Sequence, residues 1–348
     1  MDPGAARKGT ALLAERGAAI AHRSAVSSIA TLTMNPAIDA STAVPYVLPD
    51  QKLRCRAPRY EPGGGGINVA RAIRKLGGDA LACFPVAGPG GELLKRLLDA
   101  EGVRQEPVPV SGWTRENLNV FEEVSGRQFR FCMPGPSLGG EEWGAMLESV
   151  QRIRPAPNFL VASGSLPPGV PVDFYALLAA RAREMGSRIV LDTSGEALAR
   201  AVDRGVYLLK PSLREFQALI GERDLDESTL MRAAGSAIER GWCEVLVLSL
   251  GPGGALWRTA TEWERLAAPT VRVQSSVGAG DSMVAGIVLS LAQGHPLREA
   301  VRFGVAAGAA AVMNPGTELC HRADVERLYA QVTEVRALTR AGDGSAAH

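Results

Sequence analysis

The run Val277-Gly278-Ala279-Gly280-Asp281-Ser282, followed by the apolar stretch 283–291, is the segment of this chain best suited to chemistry. Glycine and alanine let the backbone turn tightly and present successive N–H groups at a helix N-terminus, where partial positive charge gathers. Such a turn suits the charge spread over a phosphoryl group in transfer. Asp281, in the first turn, could take the proton from an attacking hydroxyl. An ordinary helix start capped by Asp281 would carry the same residues, so the run alone leaves both readings open. A second run, Pro62-Gly63-Gly64-Gly65-Gly66-Ile67-Asn68, opens into a helix-like stretch 69–76. Its glycines bring bare backbone close to a small, hydroxyl-rich ligand, and Asn68 can hydrogen-bond to it. It is neither a dinucleotide fingerprint nor a Walker loop, and no G-x-x-x-x-G-K-[ST] occurs anywhere in the chain. Ser249-Leu250-Gly251-Pro252-Gly253-Gly254-Ala255 reads as a tight turn between strands, and Gly88-Pro89-Gly90-Gly91 as a simple turn. Four cations, Lys52, Arg54, Arg115 and Arg130, could grip a phosphorylated sugar, since a guanidinium meets a dianion with paired hydrogen bonds.

Charge balance and the scarce residue types narrow the chemistry. Lys and Arg number 38 against 37 Asp and Glu, a net charge of +1, so nothing marks a nucleic-acid partner. At 46% hydrophobic and 22% charged residues the chain can fill a core, which excludes a disordered protein. Apolar runs such as 303–313 are too short to cross a bilayer, so no membrane association is expected. The cysteines (Cys55, Cys83, Cys132, Cys243, Cys320) form no C-x-x-C pair, which argues against zinc or a disulfide framework and for a cytoplasmic setting. Histidine occurs only at His22, His295, His321 and His348, so a carboxylate, a lysine or the backbone must carry any catalysis.

The elements that must position these groups follow a rhythm. Residues 1–28 read as an N-terminal extension, frayed or disordered, with no uninterrupted apolar segment of a secretory signal; 29–335 form the main domain and 336–348 a tail. Residues 28–34 read as the first strand. In the second half, short apolar runs at 158–163, 188–192, 206–209 and 244–248 alternate with helix-like stretches at 173–185, 212–220 and 227–240. That alternation predicts an α/β domain with a mainly parallel sheet, whose ligand crevice lies outside the carboxyl ends of its strands. Two excursions, at about 41–60 and 107–133, are strand-like without helices, and the second contains a hairpin around Ser125-Gly126-Arg127. They are expected to meet as a small β-sheet lid.

Together these segments resemble the PfkB (ribokinase-like) carbohydrate kinases from about Ile29 to Tyr329, and within them the minor-type 6-phosphofructokinases. The resemblance rests on the glycine-rich stretch 63–76, on Gly278-Ala279-Gly280-Asp281, and on local strings such as Lys52-Leu53-Arg54-Cys55, Trp113-Thr114-Arg115 and Ser163-Gly164-Ser165-Leu166-Pro167-Pro168-Gly169. It implies a ribokinase-like three-layer fold with a β-lid, and ATP-dependent phosphorylation of fructose 6-phosphate to fructose 1,6-bisphosphate, a step of glycolysis. By the same resemblance Asp39, Gly64, Gly65, Gly66 and Asn68 hold the sugar hydroxyls, while Lys52, Arg115 and Ser165 hold its phosphate. Asp281 takes the proton from the C1 hydroxyl, and Gly278, Ala279 and Gly280 form the anion hole. Lys210, Ser249, Gly251 and Gly254 line the nucleotide. A homodimer through the lid is implied too, which would cover the lid's open strand edges.

Two positions depart from the family pattern. Where Asn-x-x-Glu would help organise hydrated Mg2+, this chain has Ser212-Leu213-Arg214-Glu215: the acid is kept and the amide lost. The loop Asn314-Pro315-Gly316-Thr317-Glu318, with Ser275, Val277 and Ala311, corresponds to a monovalent-cation (K+) loop, but Glu318 stands where a basic residue is expected. Tagatose-6-phosphate or fructose-1-phosphate kinase activity remains an alternative on the same chemistry, and a non-catalytic sugar-phosphate-binding regulator is an alternative of another class.

Overall fold

The computed structural model describes residues 28–335; the expected extension before Ser28 and the tail 336–348 lie outside the described residues. From its start, β1 (Ile29–Leu32) leads into two lid strands, β2 (Ala37–Val44) and β3 (Arg59–Gly63). The chain returns through α1 (Gly65–Lys75), β4 (Leu81–Val86), α2 (Gly88–Ala100) and β5 (Arg104–Pro109), then enters a lid hairpin, β6 (Arg115–Glu122) and β7 (Gln128–Phe131). Alternation follows with α3 (Gly140–Arg152), β8 (Phe159–Ser163), α4 (Phe174–Glu184), β9 (Arg188–Asp192), α5 (Gly195–Val202) and β10 (Val206–Leu209). Next come α6 (Leu213–Ile220), α7 (Glu227–Glu239), β11 (Cys243–Ser249), β12 (Ala255–Arg258) and β13 (Trp263–Ala267). Helices α8 (Ala279–Ala292), α9 (Leu297–Ala311) and α10 (Arg322–Tyr329) precede the short β14 (Thr333–Glu334).

The main sheet has ten strands in the order β14-β13-β12-β11-β10-β9-β8-β1-β4-β5. From β11 to β5 the neighbours run parallel, while β12, β13 and β14 add antiparallel pairs at one edge. The parallel strands read as nearly unbroken apolar runs because both faces are covered. Val161, Val190, Leu208 and Val245 pack with α1, α8 and α9, and Leu160, Ile189, Leu209 and Leu246 with α3, α4, α5 and α7. The result is a helix–sheet–helix sandwich, the three-layer arrangement expected. Helices α8 and α9 lie close because Gly286 faces Gly304, where a methyl group would stand 3.0 Å from the Gly304 Cα. That contact seats the helix carrying Asp281.

A second sheet, β3-β2-β6-β7, forms the lid. Its limits correct the sequence reading. The first excursion begins earlier, at Ala37, and the last residues of β5, 107–109, which the expected 107–133 excursion included, pair instead with β4 at the edge of the main sheet. The lid part of the second excursion begins at Arg115. Gly88-Pro89-Gly90-Gly91 is no turn but the first turn of α2, with proline where its missing N–H costs nothing. Across the lid, Glu61, Asp39 and Asn117 stand in one row, and Tyr60, Ala40, Leu118 and Phe131 in the next. Successive rows point to opposite faces. The Asp39 row turns toward the body and the row holding the exposed Tyr60, Leu118 and Phe131 turns outward. Among the described residues no helix is long and apolar enough to cross a membrane.

Candidate active site

Asp281 sits in the first turn of α8, whose N-cap Gly278 adopts the left-handed conformation (φ 73°) that glycine reaches without strain. One carboxylate oxygen accepts from the Asn68 Nδ2 at 3.0 Å and the other from the Ser163 Oγ at 3.4 Å. Asn68 arrives through the glycine run, and Ser163 from the carboxyl end of β8. Gly64 (φ 113°) starts α1, a methyl on Gly65 would run into the Ser163 hydroxyl, and one on Gly66 into the Leu32 carbonyl. Thus α1 lies directly on the carboxyl ends of β1 and β8, and Asn68 reaches across to α8. Beside this cluster Lys210 Nζ pairs with Asp192 Oδ1 at 3.2 Å, and a Cβ on Gly280 would stand 3.4 Å from that ammonium. Burial, and then the neighbouring Asp192 charge, push the Asp281 carboxyl up to about 6, against the pull of Asn68, Lys210 and Ser163. A carboxylate poised there is ionised at neutral pH yet basic enough to accept a proton. Burial also raises Asp192, which Lys210 opposes.

The other end of the cleft is lined by the lid. Asp39 is buried, and Gly63 beside it leaves its carboxylate room that any side chain would fill. The Asn117 Nδ2 donates to Asp39 at 2.8 Å. Burial raises the Asp39 pKa, while Asn117 and the charges of Arg115, Arg71 and Arg130 act against it. Arg115 donates to the carbonyls of Met133 (3.0 Å) and Asn35 (2.8 Å), and its buried Nε has no protein partner. Asn35 in turn donates to the Ser165 Oγ at 3.2 Å, and its own Oδ1 is also buried and unpartnered. Buried polar atoms of this kind are costly unless a ligand meets them. Arg130 is exposed on the strand paired with β6, close enough to act on Asp39. Lys52 and Arg54 lie exposed on the 45–58 connection, in none of the hydrogen bonds that join the other residues.

Lys210, Ser212, Glu215, Ser249, Gly251 and Gly254 gather at the ends of β10 and β11. Ser212 caps α6 in a reciprocal box: its backbone N–H and its Oγ both donate to Glu215 Oε2, at 2.7 and 2.8 Å, leaving Oε1 for another partner. The serine that replaces the expected asparagine thus restrains the acid. Ser249 donates from its backbone to Pro211 at 3.0 Å. At Gly254 (φ 87°) a side chain would strike the Leu266 carbonyl. Among the described residues no group of three or more His, Cys, Asp or Glu could hold a metal. Farther along, the Ser275 Oγ donates to the Gly316 carbonyl at 2.9 Å, holding the 275–277 and 314–316 segments together, and Asn314 donates to the Leu319 carbonyl at 2.7 Å. Ala311 ends α9 beside them. Glu318 has its own partners, Arg59 of β3 at 2.9 Å and His321 at 2.9 Å, which accounts for an acid at this position.

Sequence reasoning missed Asn35, Arg71, Asn117, Ser163 and Asp192. Ser163 and Asp192 end predicted strands, a signal that could have singled them out. Asn117 becomes readable only once β2 and β6 are in register.

A protein-family model described as "pfkB family carbohydrate kinase" matches residues 29–324. The chain is 46% identical over 310 residues to the ATP-dependent 6-phosphofructokinase isozyme 2 of Mycobacterium tuberculosis (strain CDC 1551 / Oshkosh), covering 88% of this chain and 91% of that one. Its structure superposes on phosphofructokinase-2 from Escherichia coli in complex with potassium, with a TM-score of 0.84 and 45% identity over 88% of this chain and 99% of that chain. The same enzyme in complex with fructose-6-phosphate gives 0.83 and 44%, with the same coverage. With the Asp281 helix start, the glycine loop and the lid in one cleft, the chain belongs to the pfkB family of carbohydrate kinases.

Proposed function

We propose that this kinase transfers the γ-phosphoryl group of ATP to the C1 hydroxyl of fructose 6-phosphate, giving fructose 1,6-bisphosphate in the cytoplasm. The observation that carries the reading is Asp281, a carboxylate held by Asn68 and Ser163 at a helix start, with Lys210 beside it and Arg115 at the opposite end of the cleft. The sugar hydroxyls meet Asp39, Asn68 and the backbone of Gly64, Gly65 and Gly66; the sugar phosphate meets Arg115, Ser165 and, once the 45–58 connection folds over it, Lys52. Asp281 takes the hydroxyl proton. The N–H groups around Gly278, Ala279 and Gly280, with Lys210, balance the charge of the moving phosphoryl group. Ser249, Gly251 and Gly254 lie along the nucleotide. Glu215, restrained by Ser212, would hold water around Mg2+, which would supply charge neutralisation to the ATP phosphates when bound. Ser275, Val277, Ala311, Asn314 and Gly316 would hold K+ beside the anion hole and stiffen it. The outward row of Tyr60, Leu118 and Phe131 supports a homodimer through the lid.

A coupled assay comparing specificity constants for fructose 6-phosphate, tagatose 6-phosphate and fructose 1-phosphate tests the reading. Fructose 6-phosphate should lead by at least about tenfold, the scale on which hydroxyl contacts discriminate. A lead for either other sugar overturns the substrate, and tight binding without ADP formation overturns the enzyme in favour of a regulator.

A further inference from the structure

Arg71, on α1, is 1% exposed, and of the residues assigned to the cleft it touches only Asn68. Its guanidinium is fixed from several sides. Nε and Nη2 grip the Glu101 carboxylate after α2, at 2.9 and 2.6 Å, and Nη1 donates to the Pro62 carbonyl of β3 at 2.7 Å. The same Nη1 lies 3.3 Å from the Thr317 carbonyl and 3.3 Å from the Asn68 Oδ1. Glu61 stands 3.5 Å from Nη2. A group so thoroughly committed cannot swing away, and it offers Asn68 only N–H donors.

We infer that Arg71 is a positioning residue for phosphoryl transfer: it fixes the Asn68 side-chain amide so that Nδ2 meets Asp281. The reason is donor–acceptor matching. An amide can flip, exchanging its nitrogen and oxygen with little change in shape. Flipped here, Asn68 would set its NH2 against the Arg71 N–H groups and its carbonyl against the Asp281 carboxylate, so both contacts would turn repulsive. Arg71 therefore selects the one orientation that gives Asp281 a donor. A lysine at 71 would keep the charge but not the planar fork that reaches Glu101, Pro62 and Asn68 together. The inference rests on the reading of Asp281 as the base and extends it to a residue outside the cleft.

The test is Arg71→Lys, assayed by steady-state kinetics against fructose 6-phosphate and ATP. The expected result is a fall in kcat of about 10- to 100-fold, the range typical when an outer hydrogen-bonding partner of a working group is lost. KM for ATP should stay within about threefold, while KM for fructose 6-phosphate rises, because the displaced Asn68 also meets a sugar hydroxyl. Asp192 and Lys210, the charged groups facing Asp281, are untouched. The acid limb of kcat should therefore move to higher pH, because the carboxylate has lost a donor that favoured its charged form. Glu101→Gln, which weakens the far side of the guanidinium but keeps its contact with Asn68, should lower thermal stability and leave kcat and the limb in place. If Arg71→Lys fails to fold, Arg71→Met combined with Glu101→Gln removes both charges together and should show the same kinetic loss. A folded variant lacking the Arg71 fork that keeps kcat and the acid limb overturns the inference, whatever its melting temperature. Undiminished turnover in Asp281→Asn would instead overturn the underlying reading, so the two failures are distinguishable.

Discussion

Replacing Asp281 by asparagine should stabilise the protein while nearly abolishing turnover. The native carboxyl is held at about 6 instead of the ordinary 3.8. At ~1.4 kcal/mol for each tenfold change in proton affinity, that corresponds to about 3 kcal/mol subtracted from stability at neutral pH. The side chain is partly open to the cleft, and solvent screening trims the figure toward about 2 kcal/mol. The sign follows from the direction of the shift. Below about pH 3.8 the carboxyl is neutral whether folded or unfolded and costs nothing; between 3.8 and 6 the penalty grows, and above 6 it is complete. Asparagine is close to isosteric, can accept from Asn68 and donate to Ser163, and carries no charge to desolvate. Calorimetry without ligand at pH 8 should therefore show a Tm higher by about 3 °C, using ~1.5 °C per kcal/mol from an unfolding entropy of about 2.1 cal/mol/K per residue in a domain of roughly 300 residues. Near pH 4 the gain should vanish. In the coupled assay kcat should drop by about 10²–10⁴-fold, the usual contribution of a general base, with sugar-phosphate affinity nearly unchanged. An unchanged or lower Tm at pH 8, or a gain that persists at pH 4, would refute the claim that the fold holds a strained carboxylate there.

The acid limb of kcat/KM in the unmodified enzyme should fall near pH 6, because only the ionised Asp281 can accept the hydroxyl proton; a limb near 4 would contradict the raised value. Gly65→Ala should cost about 1–3 kcal/mol in chemical denaturation and lower kcat, since the added methyl must displace the Ser163 hydroxyl from Asp281. Wild-type stability in that variant would mean that α1 can retreat from β8 without loss.

What the sequence made legible were local signals. The glycine runs at 63–66 and 278–280 each precede a helix, and the apolar runs of the second half mark the parallel strands. Those signals are short-ranged, so Asn68 and Asp281, which sit directly after them, could be singled out from the sequence. The lid was harder. Whether 104–109 joins the lid or the main sheet depends on its pairing with β4, a contact outside its own pattern. Arg71 looks like any helix-borne arginine until Glu101, Pro62 and Thr317 close around it from three separate parts of the chain. Asn117 likewise acquires a role only by lying opposite Asp39. The Ser212 and Glu318 departures were visible, but their partners were not: one restrains Glu215, the other binds Arg59.

The acid at 318 has a mechanical corollary. Arg59 at the outer end of β3 is clasped to the body by an opposite charge, where a cation would have pushed it off. A half-solvated clasp of this kind slackens as electrolyte accumulates around it. The flap of this kinase should therefore ride tighter in dilute buffer than in brine, giving it a sensitivity to total ionic strength that does not depend on which cation is present.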